Sequence, residues 1–151
     1  MRRVRYVLAL LAFCALATCP VAKRSCNARI RAREAEELLG VIADKVSQHV
    51  SVTGRVPSVA APLTPQVSCC EQGGKCQPDP ATWAAPGWQA LAFSIDDPYR
   101  YAYEYLPDQD GQGATVRAIG NLDCDRAAST YELHLTVKGT SLGRTWTRQD
   151  P

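Results

Sequence analysis

Oxygen-bearing side chains fall at positions 1, 3, 5, 9 and 12 of the segment running from Asn121 to Glu132: Asn121, Asp123, Asp125, Ser129 and Glu132. This spacing wraps a hard cation such as Ca²⁺, because alternate positions of a tight loop turn their oxygens toward a common centre. Two residues argue for a plainer reading. A cation loop wants a turn-former at position 6, usually Gly, and Arg126 stands there with its own positive charge. Cys124 lies inside the loop and offers a covalent anchor. The first expectation is therefore an Asx-rich turn whose side chains hydrogen-bond their own backbone. The second is a weak structural Ca²⁺ site, in the millimolar to submillimolar class common outside cells.

Other chemistry-bearing residues are less organised. His49 and His134 have no sequence cue that pairs them with a nucleophile, and Asp96-Asp97 precedes Pro98 as a turn does. No catalytic residue and no enzymatic activity is expected. Tyr99, Tyr101, Tyr103 and Tyr105 alternate and share one face of a strand. That row is either a ligand-contacting face or a set of large amphipathic residues filling the space under a helix.

The cysteines bear on the same question of anchoring. Of seven, Cys69, Cys70, Cys76 and Cys124 belong to the folded part of the chain. In an oxidising compartment four such residues read as two disulfides. Adjacent cysteines rarely bond to each other, which leaves Cys69–Cys76 with Cys70–Cys124, or Cys70–Cys76 with Cys69–Cys124. A four-thiolate zinc site competes weakly, since the paired C-x2-C spacing is missing.

Several elements must hold these residues in place. The chain begins with a basic stretch, Met1 to Arg5, and an apolar run from Tyr6 to Ala17, whose end, Ala15-Leu16-Ala17, offers a small-residue cleavage site. Residues 1–22 thus read as a signal peptide or a membrane anchor, with Leu16-Ala17-Thr18-Cys19 an imperfect lipidation site at Cys19. Each alternative exports the rest of the chain to the periplasm, outer cell envelope or extracellular space, with membrane contact only through the N-terminal segment. Setting aside Arg2, Arg3 and Arg5 leaves 14 of the 17 basic residues against 15 acidic ones, a balance that excludes a nucleic-acid-binding patch.

The remaining 23–151 form one domain in this reading. A helix over about 27–52 carries an apolar stripe of Ala35, Leu38, Leu39, Ile42, Val46 and Val50, and ends at Gly54 and Pro57. Residues 54–87 read as a disulfide-bearing loop rich in Pro, Ser, Gly and Ala, pinned by Trp83 and Trp88. A sheet over about 88–138 then takes strands from Leu91-Phe93-Ile95, the tyrosine row, Thr115–Ile119 and Tyr131–Lys138, with Trp146 marking a short further edge. The expected class is α+β, a long N-terminal helix packed on a four-stranded antiparallel sheet.

Some of these features together resemble the globular part of type IV pilin-like proteins, a family of pilins and secretion-system pseudopilins. The helix Arg31-Ala-Arg-Glu34-Ala35-Glu36-Glu37-Leu38-Leu39-Gly40-Val-Ile42 is similar to the second half of the pilin spine, and Val52-Thr-Gly54-Arg-Val-Pro57 resembles its end. Cys69-Cys70, Lys75-Cys76, Pro78-Asp79, Trp83, Trp88, Phe93 and Asp97-Pro98-Tyr99-Arg-Tyr101 resemble a cysteine-bearing bacterial branch. Its Gly-Asp-Leu-Asp-Gly-Asp-Gly segment corresponds to Gly120-Asn121-Leu122-Asp123-Cys124-Asp125-Arg126. The prepilin peptidase site at the head of a long apolar span has no counterpart here. The resemblance implies a pilin-like structural or interaction module of the cell envelope, with pilus or secretion-system proteins as partners. The alternative is a secreted or lipid-anchored binding domain with a weak calcium site and no assembly role.

Overall fold

Strand alternation sends Tyr101, Tyr103 and Tyr105 to the same side of the chain, and all three are fully buried. In the computed structural model, which describes residues 32–124 and 127–149, they line the inner face of a five-stranded antiparallel sheet. The strands are β1 (Ala61–Thr64), β2 (Ala102–Pro107), β3 (Gly113–Gly120), β4 (Ser129–Lys138) and β5 (Ser141–Gln149). They lie in the sheet in chain order, each antiparallel to the next. The chain divides into two compact units, residues 1–33 and 34–151. Of the first, only Ala32 and Arg33 are described, as the start of helix α1, which spans residues 32–53. The leader at 1–22, the lipidation candidate Cys19, the helix residues expected at 27–31, and Asp125 and Arg126 lie outside the described residues.

Helix α1 buries Ala35, Leu39, Ile42, Ala43, Val46 and Val50 completely, the stripe expected from spacing except that Leu38 sits at its half-exposed margin and Ala43 joins it. Gly54 stops the helix with φ +68°, and its N–H donates to the Val50 carbonyl at 2.8 Å. Two bonds then fasten the exit to the sheet: Val56 N–H to the Gly111 carbonyl at 3.1 Å, and the Tyr105 hydroxyl to the Pro57 carbonyl at 2.7 Å. At the other end the Glu34 carboxylate accepts from the Arg100 backbone N–H at 2.5 Å and from its guanidinium at 2.7 Å.

The expected architecture of a long helix on a four-stranded sheet is overturned: the sheet dominates, with five strands, and the helix has 22 residues. β1 was hidden, and β5 is longer than the short edge expected at Trp146, for different reasons. β1 lies among Pro62 and Pro65, which read as linker but are tolerated because the strand is at the sheet edge. β5 follows Gly139, which reads as a loosened tail. With φ +65°, Gly139 instead forms a two-residue loop with Thr140 and turns the chain directly back along β4.

One expected strand is absent. Leu91, Phe93 and Ile95 are buried at alternate positions, yet they pair with no strand. Leu91 caps the short helix α2 (Pro86–Ala90), and the Phe93 N–H bonds back to the Trp88 carbonyl at 3.1 Å. Alternation there serves anchoring: Trp83, at the end of a 3-10 turn (Pro80–Trp83), meets Trp88 and Phe93 edge-on with ring centroids 5.3 Å apart in both cases.

Small residues make room for the rings. Across the sheet Ala118 stands between Tyr103 and Tyr131, and Gly120 lies against the Tyr101 ring, where a Cβ would come within 2.5 Å of it. Gly87 similarly lets α2 press on the backbone of Ala60 and Ala61 at the start of β1. The same contact is locked by the Trp88 indole N–H, which donates to the Thr64 hydroxyl at 2.8 Å in a buried setting. Replacing Thr64 by Val keeps the shape and leaves that indole N–H unsatisfied. Such a group costs about 1–3 kcal/mol, so urea unfolding of Thr64→Val should lose stability in that range, and an unchanged midpoint would remove the bond from the account.

Candidate functional site

The cysteine cluster and the 121–132 segment meet, and the two disulfides choose one of the two pairings left open by the sequence. Cys69 bonds to Cys76 with Cα atoms 4.7 Å apart, and Cys70 bonds to Cys124 with Cα atoms 5.5 Å apart. Both separations lie in the range a disulfide spans without moving the backbone. The first closes a tight loop of turns in which the Gly74 N–H returns to the Cys69 carbonyl at 2.8 Å. An isolated bridge between Cys76 and Tyr99, with N–H to carbonyl bonds of 2.8 and 3.1 Å in the two directions, then docks that loop onto the end of the tyrosine row. The second disulfide spans 54 positions, against 7 for the first. In the chain-entropy picture these closures contribute about 4 and about 2 kcal/mol. The long bridge is thus the principal tether of the 121–124 turn. Two disulfides accord with an oxidising environment outside the cytoplasm. Among the described residues no helix is long and apolar enough to cross a membrane.

The proposed cation ligands do not share one task. Asn121 and Asp123 sit in the turn after β3, and Cys70 Sγ lies 2.8 Å from the Asn121 carbonyl oxygen. Ser129 has entered β4, opposite Gly120. Glu132, the residue that would close the loop at position 12, lies three residues further along the same strand, about 10 Å on. Its carboxylate is already engaged: Oε1 accepts from Arg117 Nε at 2.7 Å, and Oε2 lies 3.5 Å from His134 Nε2. Arg117 also donates to Glu104 at 2.6 Å, so a row of alternating charge crosses β2, β3 and β4 on the outer face of the sheet. Among the described residues no three His, Cys, Asp or Glu side chains converge as a metal-holding group. Glu132 thus has protein partners of its own on the outer face of β4.

Cys124 itself carries a backbone signal. Its φ is +60°, in the left-handed region that an ordinary side chain enters only when something holds it there. The disulfide to Cys70 does so.

The tyrosine row is not a binding face. Tyr99, Tyr101, Tyr103 and Tyr105 are at most 2% exposed, with Trp83 against the rings of Tyr99 and Tyr103 and Phe93 against that of Tyr103. Burial raises all four phenols above the ordinary value of 10.0, with the Asp79 carboxylate adding to Tyr99 and the Asp108 carboxylate to Tyr105. Tyr101 is further raised by the phenol of Tyr131, whose ring it meets edge-on at 5.7 Å. His134, on the outer face, lies 3.2 Å from the Thr115 hydroxyl through Nδ1 and thereby finishes the charged row. The pairing of Arg117 with Glu104 and Glu132 follows from cross-strand register, a signal that appears in the sequence only once the strand partners are known.

Two measurements follow from this geometry. Because the folded-state phenol values lie above the unfolded one, the stability held in the neutral tyrosines is complete below about pH 10 and is lost as pH rises toward the folded values. Alkaline titration should therefore show phenolate absorbance from these rings rising together with loss of circular dichroism; early ionisation without unfolding would mean that the rings are open to water. For calcium, a site with a dissociation constant of about 1 mM would add about 1.4 kcal/mol at tenfold excess, several degrees of melting temperature. With Glu132 held by Arg117 the expected shift between excess Ca²⁺ and chelator is below about 1 °C, and a shift of several degrees would restore the metal reading.

No family model, curated protein or solved structure matches this chain.

Proposed function

We propose that this chain is a non-enzymatic structural or interaction module of the bacterial cell envelope, related to the pilin-like proteins and serving as a minor component of a pilus or secretion system. The observation that carries the reading is the backbone at Cys124. The segment Gly120-Asn121-Leu122-Asp123-Cys124 resembles a pilin-branch motif that has glycine at the place of Cys124. That place has φ +60°, the conformation for which glycine is the natural occupant. The motif's glycine suits that conformation, which a disulfide-bonded cysteine adopts here. The role of the titratable side chains supports the same reading. Glu34, Arg100, Glu104, Arg117 and Glu132 are all engaged in bonds that fix one element to another. Their arrangement suits a stapled scaffold that presents surfaces to other proteins in an oxidising space.

The reading is tested by cross-linking in intact cells of the source bacterium, followed by mass spectrometry of both the captured partners and the native N-terminus. Enrichment of pilus or secretion-system subunits, with a processed or retained leader, is the expected result. A freely released protein that captures none of these subunits would overturn the assembly role.

A further inference from the structure

The two edges of the sheet are built differently. β1 has four residues, contains Pro62, is followed by Pro65, and has an irregular register against β2. Short length, proline and irregularity are the devices that stop an edge from pairing with another strand. β5 has nine residues and no proline, and it pairs with β4 in unbroken register from Ser141 to Gln149. Its other backbone edge has no strand beside it among the described residues. Along it the side chains alternate. Leu142, Arg144, Trp146 and Arg148 share a face with Val137 and the core residues Leu135, Leu133 and Tyr131, while Ser141, Gly143, Thr145, Thr147 and Gln149 occupy the opposite face. Trp146 is 48% exposed, whereas the other two tryptophans are buried.

From this asymmetry we infer that β5 pairs antiparallel with β5 of a second copy of this chain, joining two sheets into one of ten strands. With one edge blocked, copies can meet only edge β5 to edge β5, so the contact is isologous and closes as a dimer. Charge selects the register. Complete overlap of the nine residues places Thr145 opposite Thr145 of the second copy and Arg144 opposite its Trp146, so that each indole faces a guanidinium. Leu142 then faces Arg148, and no like charges stand opposite each other. A slip of two residues keeps the same faces together but brings Arg144 against Arg144 in one direction and Arg144 against Arg148 in the other. Directly opposed like charges destabilise a strand pair, and a slip of one residue would put Trp146 and the arginines on the wrong face. Arg144 is held toward α1 by Asp44 at 2.6 Å, and Arg148 lies over the Tyr131 ring at 5.1 Å. Both guanidinium groups are thus oriented on the same face as Trp146 before a second copy arrives. This contact goes beyond the envelope role and stands whether or not that reading survives.

The full chain with its disulfides intact tests the pairing by sedimentation velocity and by engineered cross-links. The expected mass is twice the chain mass of 16.4 kDa, and Trp146→Ala should weaken the dimer by about tenfold or more, as loss of a central aromatic does. Register is read from two cysteine variants under mild oxidation, with the unsubstituted chain as background. Thr145→Cys should form a covalent dimer, because self-paired residues have Cα atoms about 4.5–5.5 Å apart. Thr147→Cys should not, because its two copies lie four residues apart along the strands, about 13 Å. A monomer at high concentration, a dimer unmoved by Trp146→Ala, or equal cross-linking of both cysteine variants would each overturn the inference.

Discussion

Burying a tyrosine removes its hydroxyl from water, and this fold does so four times within seven residues. The row from Tyr99 to Tyr105 is the constraint on which the rest depends. Rings of that size need large neighbours, which Trp83 and Phe93 supply to Tyr99 and Tyr103. They also need small residues across the sheet, which explains Ala118 and Gly120 in β3. The polar tips are treated unequally: the hydroxyls of Tyr101 and Tyr103 are buried with no hydrogen-bond partner among the described residues. Tyr105 finds the Pro57 carbonyl, which fixes where the chain must run after α1. Tyr99 shares its backbone bonds with Cys76, which fixes the disulfide loop. The Tyr105 hydroxyl thus ties the helix exit to the sheet, and the Tyr99 backbone ties the cysteine loop to the end of the same row.

The disulfides complete what burial begins. The Cys69–Cys76 loop is docked by Tyr99, and Cys70, next along the chain, reaches out to Cys124. Adjacent cysteines therefore face two ways: Cys69 inward to a buried partner, Cys70 outward to an exposed one. The turn after β3 is held by this covalent tether in a left-handed backbone conformation. An ion would hold the same turn through its oxygens. The disulfide gives the turn a covalent anchor that does not depend on an ion.

Legibility followed period and burial. The 3.6-residue stripe of α1 and the two-residue alternation of β2 and β4 were plain in the sequence because one face of each is dry and the other wet. The stop at Gly54 was plain because a left-handed residue ends a helix cheaply only as glycine. The same alternation misled at Leu91, Phe93 and Ile95, where inward anchoring without pairing produces the pattern of a strand. β1 was obscured, and β5 was legible only as a short edge at Trp146, because edge strands need not alternate in hydrophobicity, and β1 carries prolines that central strands exclude. The candidate metal loop was legible as a spacing only. Spacing says nothing of which carboxylates a cross-strand arginine will claim, and the Glu104–Arg117–Glu132 row depends on register, a long-range property.

The surfaces of the sheet divide along the same lines. Its inner face is filled by aromatic rings, and its outer face is neutralised by ion pairs between neighbouring strands. These part-buried pairs satisfy the charges locally. Backbone hydrogen-bonding capacity at an edge strand is different, since no side-chain pairing can satisfy it. β1 limits that capacity by being short and proline-bearing. β5 keeps it over nine residues and sets a half-exposed tryptophan between two arginines beside it. For a scaffold whose two faces are saturated, the unblocked edge is where recognition by strand pairing has the most free energy to gain.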